Sequence, residues 1–349
     1  MKRRTFLKAV GGSAVTSQAV ISTAGAKDTV ANSAGIPQRS LGKSGKRVSI
    51  VCFPGLALRN YEQEEGTKGL HRAFDNGITH YDVAPAYGKD GLCEVRMGIG
   101  MKGIPRDKYF LSCKTKKRDA EGAKEELERS LKRLNTDHFD LYQLHCLKHP
   151  DEVKQAFGPG GAMETIFKAR EEGKIGLIGF SAHTTKGALA AMKEYKFDTV
   201  MFPINFVELF TIGYGKAVLD LAEEQGVPVL AIKAMSRGRW KEGVERTRKW
   251  WYRSVETEDE VSMAIRYALS QSTVKTIVPP SFLDLVDKAV VAARSATPIT
   301  GAEVEQLRKI AADCESVFRR EEEQVAGKFP RHRLLYPDSP HDHCPGWHV

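Results

Sequence analysis

The stretch THYDVAPAYGKDG, residues 79–91, is a short apolar run that ends in the acid Asp82 and continues into a glycine-containing loop with Tyr87. Short apolar runs bounded by turn residues are typical of buried parallel β-strands. The chain contains seven more of them, at residues 48–55, 109–115, 139–145, 175–181, 199–205, 227–233 and 274–280. Together these runs predict eight strands.

Segments with helical periodicity separate the predicted strands. Residues 120–134 place Leu127, Leu131 and Leu134 on one helix face. Strands roughly 30 residues apart with helices between them pair in parallel, so the pattern predicts an α/β fold, a closed (β/α)8 TIM barrel. An open doubly wound sheet is the alternative, but it would usually carry a glycine-rich phosphate loop after its first strand, and residues 49–60 lack G-x-G-x-x-G.

The regions on either side of the strands predict additions to this barrel. Residues 36–49 predict an N-terminal hairpin, and residues 300–324 predict a C-terminal helical extension. We therefore expect one barrel domain at residues 37–324 and an irregular tail at residues 325–349. The tail holds several histidines and a cysteine, but their spacing matches no structural metal site, so no metal is predicted.

The first 26 residues have the pattern of a targeting segment. Lys2, Arg3 and Arg4 precede Phe6 and Leu7, and a weakly apolar stretch follows that is rich in small residues. This resembles a twin-arginine signal peptide, which implies the twin-arginine export machinery as a partner and an exported, periplasmic mature protein. A disordered basic tail is the alternative.

Composition excludes two classes of partner for the mature chain. Lys and Arg number 53 against 44 Asp and Glu, and residues 1–26 hold four of the basic and none of the acidic residues, which leaves 49 against 44, or +5. This charge is small and scattered, so no nucleic acid partner is expected. No later run approaches the roughly 18 uncharged apolar residues of a membrane helix, so no membrane association of the mature form is expected.

Polar residues end three successive predicted strands. Asp82, Lys114 and His145 are 32 and 31 residues apart, about one βα unit each. Active sites of βα barrels lie at the carboxyl ends of the strands, so these side chains and the nearby Tyr87 are expected at one patch. An ammonium beside a tyrosine lowers its pKa from near 10, a carboxylate holds the ammonium, and a histidine orients a carbonyl. The set suits proton transfer coupled to hydride transfer.

Five longer motifs occur in order along the chain: GITHYDVAPAYG, GLCEVRMGIG, PRDKYFLSCKT, SLKRLNTDHFDLYQLH and GKIGLIGFS. With these motifs the chain resembles the aldo-keto reductase family over residues 37–295. The resemblance implies a catalytic tetrad of Tyr87, Asp82, Lys114 and His145, in which Tyr87 protonates the carbonyl. It also implies NADP or NAD as the cofactor.

The resemblance places the cofactor at five residues. Ser181 and Asn205 are expected at the nicotinamide carboxamide, Ile232 at its ring, and Lys233 and Ser281 at the pyrophosphate. The segment after the last strand has no basic residue between 279 and 287, where the family usually carries cations for the 2'-phosphate. A weak preference between the two cofactors follows.

The long loop at residues 236–256 is the predicted substrate surface. Trp240, Trp250 and Trp251 offer flat faces that suit a sugar, although a loop held by its own aromatic residues is an equal alternative. Arg237 and Arg239 are the candidates in this loop for reaching a 2'-phosphate.

Three functions are compatible with these residues. The leading one is an NAD(P)-dependent oxidoreductase that interconverts a carbonyl, in an aldehyde, ketone or sugar, and an alcohol. The second is an enzyme that keeps NAD(P) tightly bound and catalyses a redox-neutral isomerisation, epimerisation or elimination on a sugar. The third is a non-catalytic redox-sensing subunit.

Overall fold

The computed structural model describes residues 29–333 together with residues 335, 336 and 339. A three-stranded antiparallel sheet comes first, and its second and third strands form the hairpin predicted at residues 36–49. Its strands are β1, Val30–Ala31; β2, Pro37–Ser40; and β3, Arg47–Ser49. Leu41 and Val48 from this hairpin pack on Phe110 and Leu141 inside the barrel. The hairpin therefore closes the amino end of the barrel and leaves the carboxyl end for the site.

Eight parallel strands follow one another in sequence order round the barrel. They are β4, Cys52–Pro54; β5, His80–Asp82; β6, Phe110–Thr115; β7, Phe139–Leu147; β8, Ile175–Ala182; β9, Thr199–Pro203; β10, Val229–Ile232; and β11, Val274–Val278. Val51 forms a parallel bridge with Ile277 of β11, and this bridge closes the sheet. The predicted (β/α)8 barrel is confirmed.

The first predicted strand, residues 48–55, is wrong in its bounds. Val48 and Ser49 pair with β2, and the barrel strand proper is β4. The amide of Ile277 donates to the Ile50 carbonyl at 2.8 Å, so the residues between β3 and β4 already belong to the closure of the barrel. One continuous apolar run thus serves two sheets.

Helices surround the barrel. They are α1, Gln63–Asp75; α2, Leu92–Gly100; α3, Ala120–Leu134; α4, Pro150–Phe157; α5, Ala162–Glu171; α6, Thr185–Glu194; α7, Phe206–Ile212; α8, Lys216–Gln225; α9, Glu258–Leu269; α10, Leu283–Arg294; α11, Gly301–Ala312; and α12, Arg319–Val325. The predicted helix at residues 120–134 coincides with α3, whose three leucines are buried. Asp119 begins α3 by accepting from the Gly122 amide at 2.7 Å.

The predicted helical extension at residues 300–324 consists of two helices, α11 and α12. Between α11 and α12 the Ser316 hydroxyl and the Val317 amide donate to the buried carboxylate of Glu208 on α7. The next residue, Phe318, stacks on Tyr214 with ring centroids 4.9 Å apart. These contacts interrupt the helix and bring α12 over the carboxyl end of the barrel. Residues 1–26 and much of the predicted tail at 325–349, including its histidines and cysteine at 341–348, lie outside the described residues.

Candidate active site

The four residues of the predicted tetrad meet at one cavity at the carboxyl end of the barrel. Asp82 ends β5, Lys114 lies in β6, His145 lies in β7, and Tyr87 follows β5 in its loop. Because the three strands are parallel and adjacent, their carboxyl ends present these side chains to the same space. The structure therefore brings together all four residues of the predicted tetrad.

Asp82 and Lys114 form a buried ion pair. The Lys114 ammonium donates to Asp82 Oδ2 and, at 3.3 Å, to the carbonyl of Val83. The two side chains are 3% and 0% exposed. Burial raises the pKa of the Asp82 carboxyl, and the Lys114 charge opposes that rise. Such a pair contributes little net stability, but it fixes the ammonium at one position in the site.

Tyr87 is held between Lys114 and His145. The Lys114 Nζ lies 5.0 Å from the centroid of the tyrosine ring, and the His145 ring meets the tyrosine ring edge-on at 5.6 Å. The loop that carries Tyr87 turns at Gly88, where φ is +79° and a side chain would meet Leu92 at 3.0 Å. Side chains from β6 and β7 thus hold the ring of Tyr87 in place.

The expected effect of Lys114 on the tyrosine pKa is not what the structure gives. Burial raises the pKa of Tyr87 well above its ordinary value, and the negative charge of Asp82 is the next cause. The positive charge of Lys114 is largely compensated by Asp82, so in the resting site burial and the Asp82 charge outweigh it. Tyr87 consequently keeps its proton at neutral pH, which suits a proton donor.

Four of the five predicted cofactor residues line the same cavity: Ser181, Ile232, Lys233 and Ser281. The Ser181 Oγ accepts from the Cys146 amide at 2.7 Å, so its own hydroxyl proton remains for a ligand oxygen. Ile232 is half-buried and offers an apolar wall. This combination of a hydroxyl donor and an apolar aliphatic side chain fits a nicotinamide carboxamide and ring.

Asn205, the fifth predicted cofactor residue, does not line the cavity. It is the N-cap of α7, where its Oδ1 accepts from the Glu208 amide at 3.0 Å. Asparagine is among the best N-cap residues, and the cap uses only its Oδ1, whereas its buried Nδ2 has no hydrogen-bond partner among the described residues. Met201 of β9 lines the cavity in its place.

The aromatic loop contributes two of the three predicted tryptophans. Trp250 and Trp251 line the cavity together with Tyr252, whereas Trp240 does not. The indole N–H of Trp240 donates to the Trp250 carbonyl at 2.7 Å, so Trp240 supports the loop from behind. The loop is therefore both held by its own aromatic residues and open to the site.

His183 lines the cavity and was not predicted. It lies two residues after Ser181 at the end of β8 and is 2% exposed. Alternate residues of a strand share a face, so the same periodicity that places Ser181 in the site would have found it. Its Nδ1 lies 3.4 Å from Cys146 Sγ, and its Nε2 lies 3.3 Å from Lys233 Nζ.

The two arginines named as candidates for reaching a 2'-phosphate form ion pairs within the protein. Arg237 pairs with Glu260 at 2.7 Å, and Arg239 lies 3.7 Å from Glu315. The arginine beside the start of α10 is instead Arg248, which contacts Asp284 at 2.6 Å and Glu256 at 2.8 Å. Its charge is therefore already matched by two carboxylates.

The described residues contain neither a cluster of metal ligands nor a membrane-spanning helix. Within residues 29–333, no group of three or more metal-ligating side chains is close enough to hold an ion. Over the same residues, no helix has the length and apolar character needed to span a membrane.

Known proteins share both the sequence pattern and the fold. The model of the aldo/keto reductase family matches residues 54–312. An aldo-keto reductase of Bacillus subtilis, YhdN, is 31% identical over 188 residues, which are 51% of this chain and 54% of that protein. The D-threo-aldose 1-dehydrogenase of a Pseudomonas species is 26% identical over 214 residues, 53% of this chain and 64% of its own.

A solved structure agrees with the barrel described above. The holo form of an aldo-keto reductase from Bacillus halodurans superposes with a TM-score of 0.64 at 24% identity, covering 81% of this chain and 99% of that one. The chain spans between 54% and 66% of the length of the first curated relatives it matches. Because the family model covers most of the chain, including every strand of the barrel from Pro54 onward, the chain belongs to the aldo/keto reductase family.

Proposed function

We propose that the protein is an NAD(P)-dependent oxidoreductase that interconverts a carbonyl and an alcohol, with Tyr87 as the general acid in reduction and the general base in oxidation. The observation that carries the proposal is the common cavity, in which Tyr87 and His145 stand beside the buried Asp82–Lys114 pair. Membership of the aldo/keto reductase family supports it.

A nicotinamide cofactor fits the residues opposite the tetrad. The free hydroxyl proton of Ser181 suits the carboxamide oxygen, and Ile232 suits packing against the ring. Ser281 lies two residues before α10, whose amino end favours phosphate. When bound, the cofactor supplies or accepts the hydride at the reacting carbon.

The protein residues handle the proton and the geometry. The substrate carbonyl oxygen is bound by the Tyr87 hydroxyl and by His145, which orients it and stabilises its developing charge. In reduction Tyr87 donates its proton to this oxygen, for which a protonated tyrosine is the required form. Lys114, fixed by Asp82, then stabilises the phenolate that remains.

A polyhydroxylated substrate is the class we propose. Trp250 and Trp251 give the cavity flat aromatic faces of the kind on which sugar rings stack. Two similar proteins, the D-threo-aldose 1-dehydrogenase of a Pseudomonas species and the L-galactose dehydrogenase of Arabidopsis thaliana, carry sugar substrates in their names. These names support the class and leave the individual sugar open.

Residues 1–26 are proposed to direct export through the twin-arginine pathway, with the mature protein acting in the periplasm. The support is the arrangement of paired arginines, mildly apolar stretch and small residues in the sequence. Since this pathway exports folded proteins, a cofactor would be carried with the chain.

The test of the catalytic proposal pairs Tyr87→Phe with Tyr109→Phe. Reduction of aldoses is followed by NADH and NADPH absorbance, and cofactor binding is measured by fluorescence titration. Tyr87→Phe should lower kcat at least a hundredfold with cofactor binding changed less than twofold, because only the proton donor is lost. Tyr109 directly precedes β6, at the opposite end of the barrel, so Tyr109→Phe should retain activity.

Substantial turnover in Tyr87→Phe would contradict the role of this tyrosine. Denaturing the purified protein and identifying released nucleotide is the complementary measurement. A stoichiometric nucleotide that never exchanges would favour the redox-neutral alternative over net oxidation or reduction.

A further inference from the structure

Lys233 occupies an unusual backbone position beside the cavity. It directly follows β10, it is 7% exposed, and its φ is +56°. Non-glycine residues rarely adopt this left-handed conformation, and where they do they cluster at ligand sites. Here the conformation accompanies a lysine side chain that lines the cavity instead of reaching solvent.

The Lys233 ammonium has no carboxylate partner among the described residues. Its Nζ lies 3.3 Å from His183 Nε2 and 5.6 and 5.5 Å from the ring centroids of Trp251 and Phe318. The nearby carboxylate of Glu321 pairs with Lys148 at 3.1 Å. An ammonium has three donors, so Lys233 keeps hydrogen-bonding capacity toward the cavity.

The groups around Lys233 compensate its charge only in part, because Cys146, Glu321 and Glu208 raise its pKa while burial lowers it by more. Burial lowers the pKa of Lys233 to about 8, and burial likewise raises the pKa of the Cys146 thiol to about 11 and that of the Glu208 carboxyl to about 7. The Glu208 carboxylate faces Ser316 and Val317. The titratable and charged groups that face Lys233 from the surrounding elements are Cys146, Lys148, His183, Glu208 and Glu321. A buried ammonium without a carboxylate partner destabilises the folded protein unless an anion binds to it.

We propose that Lys233 binds a carboxylate of the substrate, so that the protein acts on hydroxy or oxo acids of the sugar-acid class. This rests on the proposed function and names the substrate class of the same site. A carboxylate would receive charge-assisted hydrogen bonds from the Lys233 ammonium while its sugar carbons face Trp251.

The direction of the Lys233 side chain favours the substrate over the cofactor pyrophosphate. Its ammonium meets His183, whose other ring nitrogen lies against Cys146, the residue that follows the tetrad histidine. Ser281, at the expected pyrophosphate site, follows β11, the strand that pairs with β10. The Lys233 ammonium instead contacts His183, which follows β8 and lies against Cys146 of β7, the strand that carries His145.

The experiment compares two pairs of probes that differ by a carboxylate: D-glucuronate with D-glucose, and glyoxylate with glycolaldehyde. Binding is followed by tryptophan fluorescence, and turnover by absorbance of NADH or NADPH, in the wild type and in Lys233→Met and Lys233→Arg. The wild type should favour the acid of each pair at least tenfold. Lys233→Met should lose at least ten times more kcat/KM on the acids than on the neutral probes, mainly through KM, and Lys233→Arg should restore most of the difference.

The pH dependence separates binding from a structural role. The preference for D-glucuronate should fall as the pH rises through about 8 in the wild type, and it should persist to higher pH in Lys233→Arg, because arginine stays charged. Equal affinity of the wild type for both members of each pair, or a preference that survives in Lys233→Met, would overturn the proposal. So would a loss of NADH affinity in Lys233→Met that lowers activity on all probes alike, which would assign the ammonium to the pyrophosphate.

The two proposals fail in different ways. Turnover of sugars without any preference for the acids would leave the proposed function intact and remove the carboxylate site. Selective, Lys233-dependent binding of the acids without turnover would support the carboxylate site and remove the proposed function.

Discussion

Replacing Lys233 by methionine should stabilise the folded protein at pH 7. Folding lowers the pKa of this lysine from its ordinary 10.5 to about 8, chiefly by burial. At about 1.4 kcal/mol for each tenfold change in proton affinity, this corresponds to an upper bound of about 3 kcal/mol of destabilisation at neutral pH. The Trp251 and Phe318 rings offset part of it, about 0.5 kcal/mol each, since both lie near the outer limit of cation–π attraction. A methionine fills similar space, so we expect a gain of about 2 kcal/mol in the free energy of unfolding.

The gain in the free energy of unfolding should depend on pH, and the lowered pKa of Lys233 determines the direction of that dependence. The unfolded chain holds the Lys233 proton up to about pH 10.5, whereas the folded protein releases it near pH 8. Between these values the unfolded state binds more protons, so the stability of the wild type rises with pH. The advantage of Lys233→Met is therefore complete below pH 8 and disappears as the pH approaches 10.5.

Urea denaturation at pH 7 and pH 10, followed by circular dichroism, measures both effects. Lys216→Met is the matched control, because Lys216 lies exposed on α8 and pairs with Asp220 at the surface, where such pairs contribute little. A Lys233→Met protein that is less stable than the wild type at pH 7, or equally stabilised at both pH values, would refute the reasoning. Either result would mean that other groups of the folded protein already stabilise the charged Lys233 ammonium.

Three further predictions follow from the sequence and the site. Replacing Arg3 and Arg4 by lysines should leave the protein folded but cytoplasmic, as cell fractionation would show, and unchanged export would exclude the signal assignment. NADH should bind within about tenfold of NADPH because the charge of Arg248 is matched by carboxylates, and Asp284→Asn should shift the ratio toward NADPH by about three- to tenfold in fluorescence titrations. Lys114→Met should cost about 3 to 5 kcal/mol in denaturant unfolding by leaving a buried carboxylate unpaired, and adding Asp82→Asn should recover most of that loss without recovering activity.

The fold and the tetrad were accessible from the sequence because both depend on local periodicity. Apolar runs bounded by turn residues mark the strands, and the spacing of Asp82, Lys114 and His145 follows from one βα unit each. Parallel strands carry whatever residue ends them to the same rim, so three strand ends suffice to predict a common site. The predicted bounds of the first strand were wrong because the apolar run at residues 48–55 contributes to two sheets, the N-terminal hairpin and the barrel strand β4.

Residues whose roles depend on side-chain direction could not be placed from the sequence. Asn205 comes shortly after β9, but it begins α7 and its Oδ1 is used for the N-cap. Trp240 and Trp250 lie in one loop, and only the tertiary fold of that loop decides which of them faces the cavity. Phe318, which meets Lys233, comes from a segment 85 residues away in sequence.

The two lysines of the cavity show how differently one site treats the same charge. Lys114 forms an ion pair with Asp82. This pair fixes the position of the ammonium, and the Asp82 charge leaves the lysine little attraction for an anion from outside the protein. Lys233 is equally enclosed, yet the described residues give it a histidine and two rings and no carboxylate. A cavity that served only neutral carbonyls would gain stability from a methionine at position 233, so the retained ammonium implies that an anion completes the site during turnover. If Lys233→Met proved more stable than the wild type and kept the same preference for acids over neutral probes, Lys233 would not be the residue that binds the substrate carboxylate. Another residue of the cavity would then have to bind it.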